Sequence, residues 1–320
     1  MGTPLYASVD LGGTKVACAL GTADGALVAE ATIPTRSQQG PEAVLSRIAD
    51  QIAELAEQAG RPAALGMGVP GLADREKGET RFLPNLPTQW RDVPVRELLQ
   101  RRLDCPVYLL NDVRMATLGE LVYGHGRGAG TLAFFALGTG VVGGIAIDGK
   151  LRLGPLGAAG ELGHQTILPG GPLCGCGNRG CLETLASGPA IAARGVGLLL
   201  SGRAPLLYEL TQGDPGRVTP REMAQAAEAG DAAVRDALME AAGYLGIGVA
   251  NVITVLHPDV IVLGGSVAAI GPLLTDTVWA TVRERVRMFP LEGIRIVLSD
   301  LGQRAGLLGG IALAVRGGVV

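Results

Sequence analysis

The sequence predicts an α/β protein with two lobes around a cleft, each lobe holding a mixed sheet opened by a glycine-turned β-meander. The first meander spans residues 5–33, where the apolar runs "LYASVDL", "VACALGT" and "ALVAEATI" are separated by the turns "GGTK" and "ADG". The pattern returns near residue 131 with "TLAFFALGTG", "VVGGIAID" and "LRLG". The chain of 320 residues is longer than a typical single core, so this repeat predicts two duplicated lobes.

Helices and further strands follow the first meander. A helix is predicted from Pro41, because Val44, Ile48, Ile52 and Leu55 recur every three to four residues. After it come the strand of "AALGMGVPGL", a helix around "VPVRELLQRRL" and the strand "CPVYLLND". This alternation of strands and helices is typical of α/β proteins.

The second half shows the same alternation. Thr219 predicts the N-cap of one helix, and a long helix is predicted over Asp231–Leu256. The strand "DVIVLGGSV", a helix at about 273–287, the strand "IRIVLS" and a helix in "AGLLGGIALAV" complete the chain. We expect a small lobe over 1–110, completed by the C-terminal helix 304–320, and a large lobe over 111–303.

The composition argues against several classes of protein. The net charge is −3 without a basic block, so nucleic acid is not an expected partner. No run reaches the roughly 18 uncharged apolar residues of a membrane span, and no signal sequence precedes the first strand. Three of the five cysteines are clustered, which favours metal binding in a reducing compartment, while Cys18 and Cys105 lie in apolar runs and are expected in the core. We expect a cytoplasmic protein.

Two glycine turns are candidate phosphate sites. In "DLGGTK" the backbone N–H groups of Gly12 and Gly13 and the Thr14 hydroxyl can face an anion, and Asp10 can hold hydrated Mg²⁺. A tight hairpin without a ligand is the alternative. The turn 138–140 repeats this setting, so a pair of turns clamping nucleotide phosphates is predicted.

A third glycine pair, Gly264-Gly265, follows the strand "VIVL" and suits a shelf for the base and ribose. Taken alone, this pair is explained more simply by an ordinary strand–helix turn.

Asn111 and Asp112 end an apolar strand just before a helix. Polar residues at strand ends often carry out the chemistry of α/β proteins, and a carboxylate there can accept a proton from an attacking hydroxyl. Both residue types also cap helices, so one can cap while the other reacts.

A metal site is predicted in "HQTILPGGPLCGCGNRGCLE". His164, Cys174, Cys176 and Cys181 form a Cys₃His set, the composition of a closed structural zinc site. A buried thiol cluster and a redox site are the alternatives. Four protein ligands leave no open position, so this zinc is not expected to act as a Lewis acid.

Several motifs together resemble a known family. In this order and spacing, "DLGGTK", "NDVRMATLGE", "LGTGVVGG", "GELGH" and "CGCGNRGCLE" resemble the motifs of the ROK family of bacterial sugar kinases and repressors, over essentially the whole chain. The similarity is greatest to members that phosphorylate glucose. It implies the actin-like ATPase fold, related to ribonuclease H, and the conversion of glucose and ATP to glucose 6-phosphate and ADP.

The resemblance also implies roles for single residues. Asp112 would be the general base on the 6-hydroxyl, and Asp10 would face Mg²⁺. Sugar contacts would come from Gly71, Asn85, Asn111, Asp112, Glu161, His164 and Glu183. Contacts to ATP would come from Gly12, Gly13, Thr14, Lys15, Gly138, Thr139, Gly140, Gly264 and Gly265. Structural zinc would be bound by His164, Cys174, Cys176 and Cys181.

Some alternatives stay open. Many family members have Asn where this chain has Arg114, two positions after Asp112. Mannose, fructose, N-acetylmannosamine or N-acetylglucosamine could replace glucose, and polyphosphate could replace ATP. A non-catalytic sugar-responsive regulator is a further alternative, although the early first strand leaves no room for a DNA-binding domain. A homodimer or homotetramer is expected, since homo-oligomers are common.

Overall fold

Two five-stranded sheets form the framework of the protein, which a computed structural model describes over residues 3–320. The first sheet has the order β3-β2-β1-β4-β7. Its strands are β1 (Leu5–Leu11), β2 (Lys15–Thr22), β3 (Leu27–Pro34), β4 (Pro62–Val69) and β7 (Val107–Asn111). The first three strands pair antiparallel, whereas β4 pairs parallel with β1 and β7. A separate hairpin pairs β5 (Leu72–Asp74) with β6 (Glu79–Phe82).

The second sheet repeats the strand order of the first. Its strands are β8 (Leu132–Leu137), β9 (Val141–Ile147), β10 (Lys150–Leu151), β11 (Val260–Gly264) and β12 (Arg295–Leu298). The order is β10-β9-β8-β11-β12, again a meander beside two parallel strands. The predicted repeat is therefore confirmed. The predicted strand "LRLG" is reduced to the two-residue strand Lys150–Leu151, and the chain after it turns at Gly154, which has a φ of 70°.

Ten helices occur between residues 3 and 320. They are α1 (Pro41–Ala59), α2 (Val95–Leu103), α3 (Asp112–Val122), α4 (Glu183–Ala186), α5 (Gly188–Leu200), α6 (Pro205–Thr211), α7 (Pro220–Glu228), α8 (Ala232–Leu256), α9 (Pro272–Arg285) and α10 (Ala305–Val315). The Thr219 N-cap is confirmed, since its Oγ1 accepts a hydrogen bond of 3.2 Å from Arg221 N. Helices α5 and α6 were not predicted.

The chain divides into two compact units. Unit 1 comprises the chain up to Gly128 together with Ile145–Ala159 and Asp300–Val320, and unit 2 comprises Ala129–Gly144 and Gly160–Ser299. These boundaries differ from the expected ones at 110 and 303. Helix α3 accounts for most of the difference, because it packs against α10 within unit 1.

Close packing of glycines holds α10 inside unit 1. A Cβ on Gly309 would overlap the carbonyl oxygen of Met115 in α3, and one on Gly310 would overlap the Ser8 hydroxyl in β1. The side chains of α10 are buried from Ala305 through Ala314. The predicted small-residue packing of this helix is confirmed, although its contacts lie on more than one face.

Helix α8 is the central helix of unit 2. Its 25 residues are apolar enough to cross a membrane by length and composition, although Arg235, Asp236 and Glu240 interrupt them. The expectation that no run is long enough is corrected here. In the structure α8 packs against α5, α7 and α9, and its Gly246 and Gly248 lie against Thr281 and Leu182. It therefore forms part of the core of unit 2.

Candidate active site

The first glycine turn is fixed by hydrogen bonds to its carbonyl groups. Thr35 donates from Oγ1 to the oxygen of Gly12 at 2.7 Å and from its backbone nitrogen to the oxygen of Thr14 at 2.9 Å. Gly12 N donates to the Lys15 oxygen at 3.0 Å, and a Cβ on Gly12 would lie 2.8 Å from that oxygen. With its carbonyl groups engaged by protein, the turn can present N–H groups to an anion.

Two partly buried carboxylates lie close enough to interact in unit 1. Asp10 is at the end of β1, and burial raises its pKa to about 6 against the lowering effect of Lys15. Burial raises the pKa of Asp112 to about 7, and the charge of Asp10 adds to the increase. Gly306 of α10 makes room for this pair, since a Cβ there would lie 2.6 Å from Asp10 Oδ2.

Asn111 caps helix α3 and orients its neighbours. Its Oδ1 accepts hydrogen bonds from the backbone nitrogens of Val113 at 3.1 Å and Arg114 at 3.2 Å. Its Nδ2 donates to the oxygen of Gly71 at 3.1 Å and to Asp112 Oδ1 at 3.0 Å. The expectation that one residue of the pair caps the helix is confirmed for Asn111, and its expected sugar contact stays a prediction.

The remaining sugar residue expected in unit 1 is Asn85. Its side chain is exposed, and its backbone oxygen would lie 3.5 Å from a Cβ on Gly13 of the first turn. Asn85 thus follows the hairpin of β5 and β6 and lies beside the expected phosphate turn.

The second glycine turn in unit 2 contacts the segment after the cysteines. Gly188 N, at the start of α5, donates to the oxygen of Gly138 at 2.8 Å. Glu183 Oε2 accepts a hydrogen bond of 3.0 Å from Val141 N and would overlap a Cβ on Gly140. Glu183, expected at the sugar, is therefore also a structural neighbour of the turn.

Three cysteines and one histidine converge in unit 2. The nearest ligand atoms of His164, Cys174, Cys176 and Cys181 all lie within 4.8 Å of one another. His164 Nδ1 is 3.7 Å from Cys174 Sγ, and Cys176 Sγ is 3.7 Å from Cys181 Sγ. Donor atoms around a tetrahedral zinc stand about 3.5–3.8 Å apart, because Zn–S bonds are about 2.3 Å and Zn–N bonds about 2.0–2.1 Å. The cluster is compatible with structural zinc.

The environment of the thiols also suits a cation. A hydrogen bond from the backbone of Asn178 lowers the pKa of Cys176, whereas burial raises the pKa of Cys181 to about 12. A metal ion would offset the cost of ionising a buried thiol. Glu183 Oε1 lies 3.8 Å from Cys174 Sγ, so one carboxylate contacts both the cluster and the second turn.

The structure also places Glu161 and Gly265, two further predicted site residues of unit 2. Glu161 is exposed and precedes a short 3₁₀ turn, where its oxygen accepts from His164 N at 3.1 Å. Gly265 has a φ of 88°, and a Cβ on it would overlap the oxygen of Leu137. Close packing thus requires a glycine at 265, and the expected role of this pair beside the base stays a prediction.

Sequence reasoning assigned no role to Thr35 or Arg114. Thr35 holds the first turn, but it lies more than twenty residues from Gly12, just after the end of β3 and outside any motif. Arg114 is only 3% exposed and contacts Asn111. The arginine in place of the family's usual Asn was the sequence signal that could have identified this residue.

The fold and these motifs define a class of protein. Each five-stranded sheet joins a glycine-turned meander to two parallel strands, and a crystal structure of a ROK family glucokinase from Streptomyces griseus with glucose and AMPPNP matches 98% of the chain. The TM-score is 0.83 and the sequence identity 31%, over 99% of that chain. The protein has the actin-like ATPase fold, as the resemblance implied.

The family follows from the sequence comparisons. The ROK family model matches residues 6–316, so the chain belongs to the ROK family. A glucokinase from Thermotoga maritima is 35% identical over 312 residues, which are 95% of this chain and 95% of that protein. A xylose repressor from Caldicellulosiruptor bescii is 34% identical over 251 residues, which are 78% of this chain and 62% of the repressor.

Proposed function

We propose that this protein transfers the terminal phosphoryl group of ATP to the 6-hydroxyl of glucose, with Asp112 as the general base. The geometry of Asp112 carries the proposal. Its Oδ1 accepts hydrogen bonds from Asn111 Nδ2 at 3.0 Å and Val113 N at 2.8 Å. Its Oδ2 is the oxygen that would accept the proton of the sugar hydroxyl. A pKa raised to about 7 suits a base that works near neutral pH.

The two glycine turns would bind the phosphates of ATP, and Asp10 would hold the metal ion. Asp10 would hold Mg²⁺, since a divalent cation would relieve the repulsion between two partly buried carboxylates. When bound, Mg²⁺ neutralises charge that develops on the transferred phosphoryl group. Gly13 and Thr14 would donate N–H groups to phosphate oxygens, and Thr139 and Gly140 would do the same. The N–H groups of Gly12 and Gly138 instead close their own turns, on the oxygens of Lys15 at 3.0 Å and Gly140 at 2.9 Å.

The zinc cluster would have a structural role. Four protein ligands fill a tetrahedral site, so the chemistry stays with Asp112. We propose that the metal fixes the segment whose ends carry His164 and Glu183. These two side chains and Glu161 would hold sugar hydroxyls, and a site that bonds several hydroxyls rejects analogues that lack one.

A panel of acceptors tests this function. Initial rates with Mg²⁺ and ATP would be measured for glucose, mannose, fructose, N-acetylglucosamine and N-acetylmannosamine, with polyphosphate as a second donor. We expect the highest kcat/KM for glucose with ATP. A higher value for another sugar would contradict the glucose assignment, and an absence of turnover with every sugar would contradict the kinase.

The similarity to a xylose repressor favours a sugar-responsive regulator as the second candidate function. Such a protein would bind a sugar without turnover and change its affinity for a DNA duplex. Binding to duplex pools at moderate salt, with and without sugar, discriminates the two functions. A tight sequence-specific complex together with absent turnover would favour the regulator.

A further inference from the structure

Arg114 is a buried cation next to the candidate general base. It lies in the first turn of α3, two residues after Asp112, and its side chain is 3% exposed. A guanidinium group is costly to bury unless hydrogen bonds and opposite charges compensate it. The contacts of Arg114 therefore indicate why the chain keeps an arginine at this position.

The guanidinium group joins two parts of unit 1. Nη2 donates to the backbone oxygen of Ala159 at 2.9 Å, at the end of the segment Ile145–Ala159. Nη1 donates to Asn111 Oδ1 at 3.2 Å. Arg114 thereby connects the end of that segment to the turn that carries Asp112.

The contact with Asn111 fixes the orientation of a carboxamide. Oδ1 of Asn111 faces three donors, which are the backbone nitrogens of Val113 and Arg114 and the Arg114 guanidinium group. A flipped amide would place its own N–H₂ group against these donors. Asn111 Nδ2 must then face the other way, toward the oxygen of Gly71 and Oδ1 of Asp112.

The positive charge has a second effect at the same place. Asp10 and Asp112 are like charges in a partly buried environment, and Lys15 acts on Asp10. Arg114 opposes the effect of Asp10, because its charge lowers the pKa of Asp112. Among the described groups whose charges shift the pKa of Asp112, Arg114 is the cation.

We propose that Arg114 is a positioning residue, which locks the Asn111 carboxamide so that it orients the carboxylate of Asp112 and which compensates the negative charge there. The inference deepens the proposed function and rests on it. Arg114 does not touch the reacting atoms in this scheme. Its locking effect reaches Asp112 through Asn111, which makes the two residues energetically coupled.

A double-mutant cycle on kcat tests this coupling. The variants are Arg114→Met, Asn111→Ala and the double variant, assayed with ATP and the best hexose of the wild type. We expect Arg114→Met to lower kcat by about 10–100-fold, since small misplacements of a reacting group have effects of this size. The KM for the sugar should change less than about threefold, and the loss in the double variant should be smaller than the product of the two single losses.

A conservative variant adds a second readout. Arg114→Lys keeps the charge but lacks the planar guanidinium group that donates to both Asn111 and Ala159. Its kcat should therefore lie between those of the wild type and Arg114→Met. If Arg114→Met does not fold, Arg114→Lys decides the question. A Lys variant with wild-type kcat would then overturn the proposal.

Arg96→Met is the matched control for lost packing. Arg96 also donates to backbone oxygens, those of Val107 at 3.1 Å and Glu76 at 2.6 Å, but it is not among the groups that act on Asp112. Its loss should lower the melting temperature without changing kcat per folded molecule.

The outcomes separate the inference from the function on which it rests. Additive losses in the cycle, or a folded Arg114→Met with normal kcat, would overturn the inference alone. A wild type inactive on every sugar would overturn the proposed function as well.

Discussion

The carboxyl group of Asp112 shows how burial changes the chemistry of a single residue. An aspartic acid with an ordinary pKa of 3.8 would be a weak base, but burial and the nearby charge of Asp10 raise the pKa of Asp112 to about 7. Its position at the end of a predicted strand made it a candidate catalytic residue from the sequence alone. Its basicity was not predictable there, because Asp10 lies about a hundred residues earlier in the chain.

Asp112→Asn should separate turnover from folding. We expect kcat to fall by roughly 10²–10⁴-fold, the usual contribution of a general base, with sugar affinity nearly unchanged. In the wild type, kcat/KM should rise as the pH increases through about 7, because only the ionised carboxylate accepts a proton. Rates and calorimetric sugar binding between pH 5.5 and 8.5 measure both effects.

The same substitution should affect stability in a pH-dependent way. The folded pKa of Asp112 is raised above its ordinary value of 3.8, so the folded chain binds this proton more tightly and loses the associated stability as the pH rises toward 7. Asp112→Asn should therefore be more stable than the wild type at pH 8, by about 1–3 kcal/mol, with a smaller gain at pH 5.

Asp148→Asn is the matched control for both effects, because Asp148 is exposed in the turn between β9 and β10. Near-normal turnover of Asp112→Asn would contradict the general-base role.

At the scale of elements, the cysteine loop was predictable because its ligands are close in sequence. The C-x-C spacing and the following cysteine bring the thiols together through short glycine turns, and His164 lies ten residues before Cys174. The contact between Glu183 and Val141 was not predictable, since 42 residues separate them. Helix α5 was missed because glycines interrupt its apolar pattern.

Loss of one zinc ligand should disorder this loop. In Cys181→Ala we expect bound zinc to disappear and amide exchange to increase around the isolated bridges that pair Thr166 with Cys181 and Leu173 with Arg179. Glucose affinity should fall by at least about tenfold, because even groups that only support a metal ligand contribute about 10–100-fold to metal affinity or activity. Elemental analysis, hydrogen exchange and calorimetry measure these three effects.

Cys105→Ala is the matched control for the zinc experiment. Its thiol is buried in unit 1, outside the cluster, so its loss should leave zinc and glucose binding intact. A zinc-free Cys181→Ala protein with unchanged glucose affinity would show that the metal is dispensable for sugar binding.

The whole molecule is assembled from segments that are distant in sequence. Unit 1 uses three stretches of chain, and α10 contributes to it from the C-terminal end. The contribution of this helix was expected, whereas the membership of α3 in the same unit was not. Helix α3 joins unit 1 through the close contact between Met115 and Gly309. Apart from the glycine itself, neither sequence segment contains a pattern that predicts this contact.

Gly309→Ala tests whether this contact supports unit 1. The added Cβ would overlap the Met115 carbonyl oxygen, and a backbone oxygen in a buried helix cannot move aside as a flexible side chain would. Helices α3 and α10 would have to separate, at a cost of about 3 kcal/mol or more.

Gly243→Ala in α8 is the control, because a Cβ there meets no atom within 4 Å and alanine favours a helix by up to about 1 kcal/mol. Denaturant unfolding of both variants gives the comparison, and a loss below about 1 kcal/mol for Gly309→Ala would mean that the two helices can separate without weakening unit 1.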